Sequence, residues 1–230
     1  MPIGGRRANG PAPPGIELET VQVLIIGASQ GIGLETAQQA IAAGHQVRAF
    51  ARSATGIALS NPNLQKVRGD ALKTEDVQAA LIGVQVVIQT LGVRLGDLFR
   101  PVHLFSEATR VLIAAMRTQG VKRLICVTGF GAGDSRASIS CLQRIPFQIV
   151  FGRAYEDKSM QERLIKESGV EWTIVRPGVL TNGPRTGRYR ILSDPAQWRN
   201  GSISRSNVAE FLVRQIEDQT YVRQAPVLVN

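Results

Sequence analysis

A glycine-rich segment near the start of the chain has the residue types and the spacing to bind phosphate groups. It reads Gly27-Ala-Ser-Gln-Gly31-Ile-Gly33 and stands between a short apolar run and an amphipathic stretch. In a strand-to-helix turn of this kind, the first glycine permits the tight turn, the second lets the backbone approach a pyrophosphate, and the third lets the helix pack closely on the sheet. The N–H groups and the positive dipole end of the helix then attract the phosphates. A tight turn without a ligand is the alternative, but the pattern favours a dinucleotide site formed by Gly27, Ser29, Gln30, Gly31, Ile32 and Gly33.

The end of the second predicted strand indicates which dinucleotide this site takes. Sites specific for NAD usually place an acidic residue there to bind the ribose 2′-hydroxyl. From Thr36 to Gly69 the chain has no Asp or Glu; Arg48 lies in the strand, and Arg52 and Ser53 follow it. The charge and the forked donors of an arginine suit a 2′-phosphate. We therefore expect NADP(H), bound in part by Arg52 and Ser53, and the alternative for Arg52 is a solvated cation at a strand end.

Two further loops follow the third and fourth predicted strands and face the same edge of the sheet. Asp70 and Ala71 follow the third strand, where a carboxylate can reach the adenine amino group. Thr90, Leu91 and Gly92 follow the fourth strand, where small residues let the backbone pass close to a ribose. Both loops are predicted to contact the cofactor, because ligands of open α/β sheets bind outside the carboxyl ends of the strands.

Short β-branched runs alternate with longer amphipathic stretches, and these elements must position the loops. The predicted strands are 21–26, 46–51, 64–68, 83–89, 121–128, 171–176 and 225–229. The predicted helices are 31–43, 74–81, 105–118, 154–167 and 207–217, with Thr74 as an N-cap. This alternation predicts an α/β fold, a single Rossmann-like doubly wound parallel sheet with helices on both faces. Residues 20–230 would form that NAD(P)-binding domain, and residues 1–19, with four Pro and four Gly, a flexible leader.

Composition excludes several classes of protein. The chain has 230 residues, of which 43% are apolar and 20% charged, which is not typical of a disordered chain, a collagen-like repeat or a membrane-spanning helix. The formal net charge is +9, from 27 Lys and Arg against 18 Asp and Glu. The basic residues are spread along the chain and aromatic residues make up only 5%, whereas nucleic-acid binders concentrate both on one surface. We therefore expect neither a nucleic-acid partner nor a membrane partner.

Cysteine and histidine usage points to a reducing compartment without a metal site. Cys126 and Cys141 cannot form a disulfide framework, and Cys126 lies in an apolar run where it is expected to be a small buried hydrophobe. The two histidines have no paired spacing with the cysteines, so no metal ligand set is predicted. The amino-terminal residues contain no continuous apolar stretch of the kind found in secretory signals, and we expect a cytoplasmic protein.

Segments in the second half of the chain resemble a known family. Glu162 to Thr181 contains Arg176-Pro177-Gly178, and the segment 204–209 reads Ser-Arg-Ser-Asn-Val-Ala. Together with the glycine-rich turn, these motifs resemble atypical short-chain dehydrogenases/reductases, the NAD(P)H-binding family that includes flavin/biliverdin reductase-like proteins. The resemblance extends from about residue 21 to residue 229. It implies the Rossmann-like fold and an NAD(P)H-dependent activity.

The resemblance also implies catalytic residues at the end of the fifth strand and on the helix that follows it. The larger superfamily uses a Lys to lower the pKa of a Tyr one helical turn before it, and a Ser or Thr to bind the substrate oxygen. These roles carry over to Lys158, Tyr155 and Thr128, and Lys158 and Thr128 would also contact the cofactor. Tyr155 lies three residues before Lys158 where the superfamily has four, and Ala154 stands at the usual Tyr position. The alternatives are a solvated helix charge for Lys158, a buried aromatic for Tyr155 and a capping hydroxyl for Thr128.

These patterns predict an NADPH-dependent oxidoreductase that transfers hydride to a small carbonyl or conjugated substrate. Residues 130–153 and 181–201 would form the substrate side, with an apolar wall or ordinary packing made by Phe130, Phe147, Phe151 and Trp198. The alternatives are a non-catalytic NADP(H)-sensing regulator and a nucleotide-dependent isomerase or epimerase, because the fold alone does not decide among them. The expected partner is a small-molecule substrate, and the expected state is a monomer or small homo-oligomer.

Overall fold

Strand and helix alternate through most of the chain, as the hydrophobic periodicity indicates. The computed structural model describes residues 20–92, 103–138 and 141–230, and for residues 138 and 141–151 it describes the backbone alone. The helices are α1 (Gly31–Ala42), α2 (Thr74–Leu81), α3 (Leu104–Gln119), α4 (Cys141–Glu167) and α5 (Arg205–Arg214). The strands are β1 (Gln22–Ile26), β2 (Gln46–Ala51), β3 (Leu64–Arg68), β4 (Val86–Gln89), β5 (Arg123–Val127), β6 (Glu171–Pro177), β7 (Val179–Thr181), β8 (Arg190–Leu192), β9 (Ser202–Ser204) and β10 (Val227–Val229). The expected leader, residues 1–19, lies outside the described residues.

The main sheet has eight strands in the order β3-β2-β1-β4-β5-β6-β10-β8. Its strands are parallel except at one edge, where β8 pairs antiparallel with β10. Strand order reverses at β1, which has β2 on one side and β4 on the other. In doubly wound sheets the crevice at the carboxyl ends of the strands beside such a reversal is where ligands bind. A separate parallel pair is formed by β7 and β9.

The apolar side chains of β1 alternate between the two faces of the sheet, and each face has its own core. Val23 and Ile25 belong to a buried cluster with side chains of α1 and α5. Leu24 and Ile26 belong to a second cluster with side chains of α2 and α3. Helices therefore cover both faces, which is why β1, β4 and β5 are apolar along almost their whole length. The predicted Rossmann-like doubly wound fold is confirmed.

Several details differ from the sequence prediction. Lys73 occupies the N-cap of α2 and Thr74 is its first helical residue, so the predicted capping role of Thr74 is wrong. Helix α4 begins at Cys141 rather than at residue 154, and much of the predicted substrate-side stretch is therefore helical. Strands β7, β8 and β9 were not predicted, because three residues carry too little hydrophobic periodicity to indicate a strand.

Across the part of the chain that the structure describes, no helix has the length and apolar character needed to cross a membrane.

Candidate functional site

The glycine-rich turn joins β1 to α1 and packs against both neighbouring strands. The N–H of Gly27 donates to the carbonyl of Phe50 in β2 over 2.9 Å, and Gly27 has a φ of +88°. A Cβ on Gly27 would lie 2.9 Å from the carbonyl oxygen of Thr90, and a Cβ on Gly33 would lie 2.3 Å from the carbonyl oxygen of Gly27. Any larger residue at either position would push the turn away from β4 or from α1, so both positions require glycine.

Gly31, the first residue of α1, is exposed and less closely packed. Among the described residues, a Cβ placed there would meet only the side chain of Arg205, at 3.9 Å. Gln30 is an extended N-cap whose side chain makes no bond to the helix, and the first turn carries no acidic residue. The first N–H groups of α1 therefore have no side-chain cap, and they fit the phosphates of a dinucleotide. Ser29 and Ile32 are half-buried within the same turn.

The two arginines predicted near the end of β2 have different surroundings. Arg48 donates from Nε to Oε1 of Gln65 (2.7 Å) and from Nη1 to the carbonyls of Ala80 and Ile82 (2.6 and 2.9 Å), which ties β2 to β3 and α2. Arg52 and Ser53 are exposed. Within the described ranges Arg52 forms no ion pair. Arg52 is therefore the arginine with its charge available to a ligand.

In the loops after β3 and β4, some residues make contacts within the protein and others are exposed. Oδ1 of Asp70 accepts a hydrogen bond from the N–H of Leu72 (3.0 Å), and Ala71 is buried in the core. The hydroxyl of Thr90 donates to the carbonyl of Ile26 (3.0 Å), so Thr90 fastens β4 to the glycine-rich turn. Leu91 packs against a small apolar cluster with Phe105 and Ala154, whereas Gly92 is exposed.

Lys158, Thr128 and Glu162 meet at the carboxyl end of β5. Nζ of Lys158 donates to the carbonyl of Thr128, and the ring of Phe105 lies below the ammonium with its centroid at 4.9 Å. The hydroxyl of Thr128 donates to Oε1 of Glu162 over 2.8 Å. Because a hydroxyl has one proton and an ionised carboxylate only accepts, the oxygen of Thr128 offers lone pairs rather than a donor to a bound ligand.

Tyr155 also faces this end of β5. A Cβ on Gly129, the residue after Thr128, would lie 2.7 Å from the Tyr155 hydroxyl, and the φ of Gly129 is +158°. The centroid of the Tyr155 ring is 5.7 Å from Nζ of Lys158. The shorter spacing between Tyr155 and Lys158 therefore still places both side chains on one face of α4, as expected for residues three apart in a helix.

Burial shifts the pKa values of both groups. Burial lowers the pKa of the Lys158 ammonium to about 8, against the opposing charge of Glu162. Burial raises the pKa of the Tyr155 phenol to about 12. Lys158 therefore changes charge just above neutral pH, while Tyr155 keeps its proton and remains a hydrogen-bond donor.

A buried arginine supports the carboxylate that holds Thr128. Arg176 is fully buried; its Nε donates to Oε1 of Glu162 over 3.0 Å, and its Nη2 bonds both Oε2 of Glu162 and Oδ1 of Asp134. The guanidinium carbon lies 4.8 Å from the centroid of the Trp198 ring. Trp198 in turn packs against a small core cluster that contains Phe130. Of the predicted apolar wall, Phe130 and Trp198 thus lie together, and the side chains of Phe147 and Phe151 lie outside the described part.

A second polar cluster lies beneath the site in the core. Nε2 of Gln161 donates to Oε1 of Gln89 (3.2 Å) and to the hydroxyl of Thr109 (3.1 Å), and it lies 3.3 Å from Sγ of Cys126. Burial raises the pKa of the Cys126 thiol, so the thiol is neutral. Cys126 is buried, as predicted, but among polar neighbours rather than in a purely apolar run.

Three residues of this site were not predicted to act in it. Glu162 and Arg176 were identified only through the family motif, and their ion pair could not be expected from residues fourteen positions apart. Gly129 carries no signal of its own in the sequence, because its close approach to the Tyr155 hydroxyl depends on how α4 packs. The contribution of each site residue to binding or catalysis stays a prediction, although the structure brings Lys158 and Tyr155 to the same strand end.

The arrangement of the turn, the strands and the helices matches one family over most of the chain. The family model described as NAD(P)H-binding matches residues 27–219. The chain belongs to the NAD(P)H-binding family. The match begins at the glycine-rich turn and includes Lys158, Tyr155 and α5, so the predicted resemblance and the predicted cofactor class are both confirmed.

Two curated proteins are similar to this chain in sequence. An uncharacterized chloroplastic protein of Arabidopsis thaliana is 33% identical over 205 residues, which cover 86% of this chain and 73% of that protein. The photosystem II assembly factor Ycf39 of Synechocystis is 24% identical over 219 residues, which cover 91% of this chain and 63% of that protein. The chain thus spans less than two thirds of the assembly factor.

Solved structures show the same architecture. ChuY, an anaerobilin reductase from Escherichia coli O157:H7, has a TM-score of 0.76 and 27% identity, with 91% of this chain and 97% of that chain covered. A short-chain dehydrogenase/reductase from Veillonella parvula in complex with NADP has a TM-score of 0.75 and 16% identity, with 91% and 94% covered, and it shows the fold alone. The family match and the similarity to the structure of a reductase together support an oxidoreductase-like role for this chain.

Proposed function

We propose that this protein is an NADPH-dependent reductase that transfers hydride to a small carbonyl or conjugated substrate. The observation that carries the proposal is the meeting of Lys158, Tyr155 and Thr128 at the carboxyl end of β5. Strand β5 is the neighbour of β4, whose end supports the glycine-rich turn through Thr90. Groups able to move a proton therefore lie beside the turn that fits the cofactor phosphates.

Each of these residues has a separate role in the proposal. Bound NADPH supplies the hydride. Tyr155, which keeps its proton at neutral pH, donates first a hydrogen bond and then its proton to the substrate oxygen that gains charge, and solvent restores that proton. The Lys158 ammonium stabilises the developing negative charge or relays the proton. Thr128, whose own proton is held by Glu162, positions a ligand as a hydrogen-bond acceptor.

The preference for NADPH over NADH rests on the end of β2. No acidic residue lies between Thr36 and Gly69 to bind a ribose 2′-hydroxyl, and the exposed guanidinium of Arg52 has its charge available. A guanidinium binds a phosphate through two parallel hydrogen bonds. Arg52, with Ser53 beside it, is therefore assigned to the 2′-phosphate.

A second candidate function is an NADP(H)-binding protein without turnover whose partner is another protein. The similarity to an assembly factor favours it. The spacing of three between Tyr155 and Lys158 departs from the superfamily pattern, although both side chains still lie on one face of α4. Under either function, we propose that residues 20–230 form one cofactor-binding domain. The expected cytoplasmic location and the monomeric or small homo-oligomeric state stay predictions.

The deciding experiment measures NADPH oxidation by the purified chain with a panel of carbonyl compounds, quinones, flavins and bilins. We expect turnover with at least one class, a loss of roughly a hundredfold or more in Lys158→Ala and Tyr155→Phe, and wild-type rates in the control Lys122→Ala. Lys122 is an exposed lysine directly before β5, at the opposite end of the strand from the site. NADPH binding without consumption would favour the non-catalytic candidate. Substrate conversion without net NADPH loss would favour an isomerase.

A further inference from the structure

The amino terminus of α5 lies over the amino terminus of α1. Arg205 is the first residue of α5, and its Cδ and Nε each lie 3.9 Å from the position that a Cβ of Gly31 would occupy. Within 4 Å of that position the described chain offers no other atom apart from the immediate neighbours of Gly31 and the backbone of the first turn of α1. Helix α5 therefore brings a guanidinium to the open end of α1.

Contacts between the two helices fix the position of Arg205. The hydroxyl of Ser206 donates to Oε2 of Glu35 in α1 over 2.7 Å. Nε2 of Gln39, one turn further along α1, donates to the carbonyl of Ser206 over 3.0 Å. Because both bonds involve the residue next to Arg205, the backbone that carries the guanidinium is held against α1.

Among the described residues, the guanidinium of Arg205 bonds a neutral side chain. Its Nη1 donates to Oδ1 of Asn182 over 2.6 Å. No carboxylate in the described ranges lies within ion-pair distance of the guanidinium; the Glu35 carboxylate on α1 accepts its bond from Ser206. A cation beside the positive end of a helix dipole is unfavourable by itself, and an anion placed between them is attracted to both.

We propose that Arg205 is a ligand of the pyrophosphate of the bound dinucleotide. The proposal rests on the cofactor of the function given above and not on the reaction. In a Rossmann-like turn the pyrophosphate lies at the amino terminus of the first helix, where Gly31 begins α1. The 2′-phosphate belongs to the end of β2, where Arg52 stands. The two arginines thus bind different phosphates, and only Arg205 acts on a group that NADPH and NADH share.

The test is equilibrium binding of NADPH and of NADH to the purified full chain, measured by calorimetry. We expect Arg205→Gln to weaken both ligands by a similar factor, about tenfold to a hundredfold, since a hydrogen bond to a charged group is lost. Arg205→Lys should retain part of the affinity because it keeps the charge. The matched control is Arg188→Gln, which removes the same charge from an exposed position in the preceding segment. Thermal unfolding without ligand checks that each variant is folded.

Three outcomes would overturn the assignment. An unchanged affinity would remove Arg205 from the site, and a loss confined to NADPH would move it to the 2′-phosphate. An equal loss in Arg188→Gln would show that the general charge of the surface, rather than a contact, attracts the cofactor. A chain that binds NADPH through Arg205 and reduces nothing would contradict the proposed reductase and support this assignment.

Discussion

The hydroxyl of Thr128 donates its hydrogen bond to Glu162, 2.8 Å away, and this contact links the candidate site to a buried ion pair. Glu162 is almost fully buried and its partner Arg176 fully so. A buried carboxylate that also accepts from a hydroxyl holds that hydroxyl in one orientation. Glu162 therefore positions Thr128, and the ion pair with Arg176 holds the Glu162 carboxylate in place.

Replacement of Glu162 should destabilise the fold strongly. In Glu162→Gln the buried Arg176 charge loses its main partner, and we expect the free energy of unfolding to fall by about 3 kcal/mol. Asp134→Asn is the matched control, because Asp134 bonds the same guanidinium from a half-exposed position and Asn keeps an acceptor; we expect about 1 kcal/mol or less. Urea denaturation of both variants measures the difference, and equal losses would show that the buried pair contributes no more than the exposed one.

Activity and stability should both change between pH 8 and pH 10.5. The pKa of Lys158 is about 8 in the folded chain and 10.5 for an ordinary lysine. If the charged ammonium serves the reaction, kcat/KM falls as pH rises through about 8, and this limb persists in Tyr155→Phe because burial raises the pKa of Tyr155 to about 12.

The unfolding free energy should move the other way over the same interval. Between the two pKa values of Lys158 the unfolded chain binds more protons than the folded chain, so the folded state gains stability as pH rises. Lys158→Met removes the titrating group and should flatten this rise. Denaturation curves at several pH values measure it, and a rise of the same size in Lys158→Met would assign it to another group.

Arg52→Ala should discriminate between the two nicotinamide dinucleotides. Loss of a charge-assisted contact with the 2′-phosphate should weaken NADPH binding by about tenfold to a hundredfold, and NADH binding by no more than about threefold. Arg110→Ala is the control, since Arg110 is an exposed arginine on α3. Calorimetric titration with both cofactors measures these affinities. Equal losses of affinity for NADPH and NADH would show that Arg52 does not bind the 2′-phosphate.

Gly31→Ala should lower cofactor affinity beyond its cost in stability. Gly44→Ala is the matched control, because Gly31 and Gly44 both have a positive φ (+57° and +91°). A Cβ at Gly44 would have no atom within 4 Å beyond the chain neighbours of Gly44. Alanine at either position is strained by about 1 kcal/mol. Only Gly31→Ala also places a methyl group where the phosphates approach. We expect the two variants to have similar melting temperatures, with NADPH binding weakened only in Gly31→Ala. Equal NADPH affinities of the two variants would show that the ligand does not approach Gly31.

The sequence alone determined the architecture and the cofactor turn of this protein. Strands with continuous apolar runs and helices with an apolar face are local patterns, so β2, β3 and α2 are predicted with their observed limits. The glycine-rich turn is also a local pattern, because the apolar run before it and the amphipathic stretch after it mark a strand-to-helix junction that needs glycine. Three-residue strands such as β8 carry no such periodicity, and pairing with β10 decides them.

Tertiary structure decided which side chains can act together. The sequence favoured Arg52 over Arg48 from position alone, and the packing supplies the physical reason: Arg48 is engaged with Gln65 and α2, whereas the charge of Arg52 is available. The sequence also could not show that the hydroxyl of Thr128 donates to Glu162, or that Arg205 reaches the amino terminus of α1. These contacts join elements that are far apart in the chain, and their distances depend on how helices pack on the sheet rather than on any local pattern.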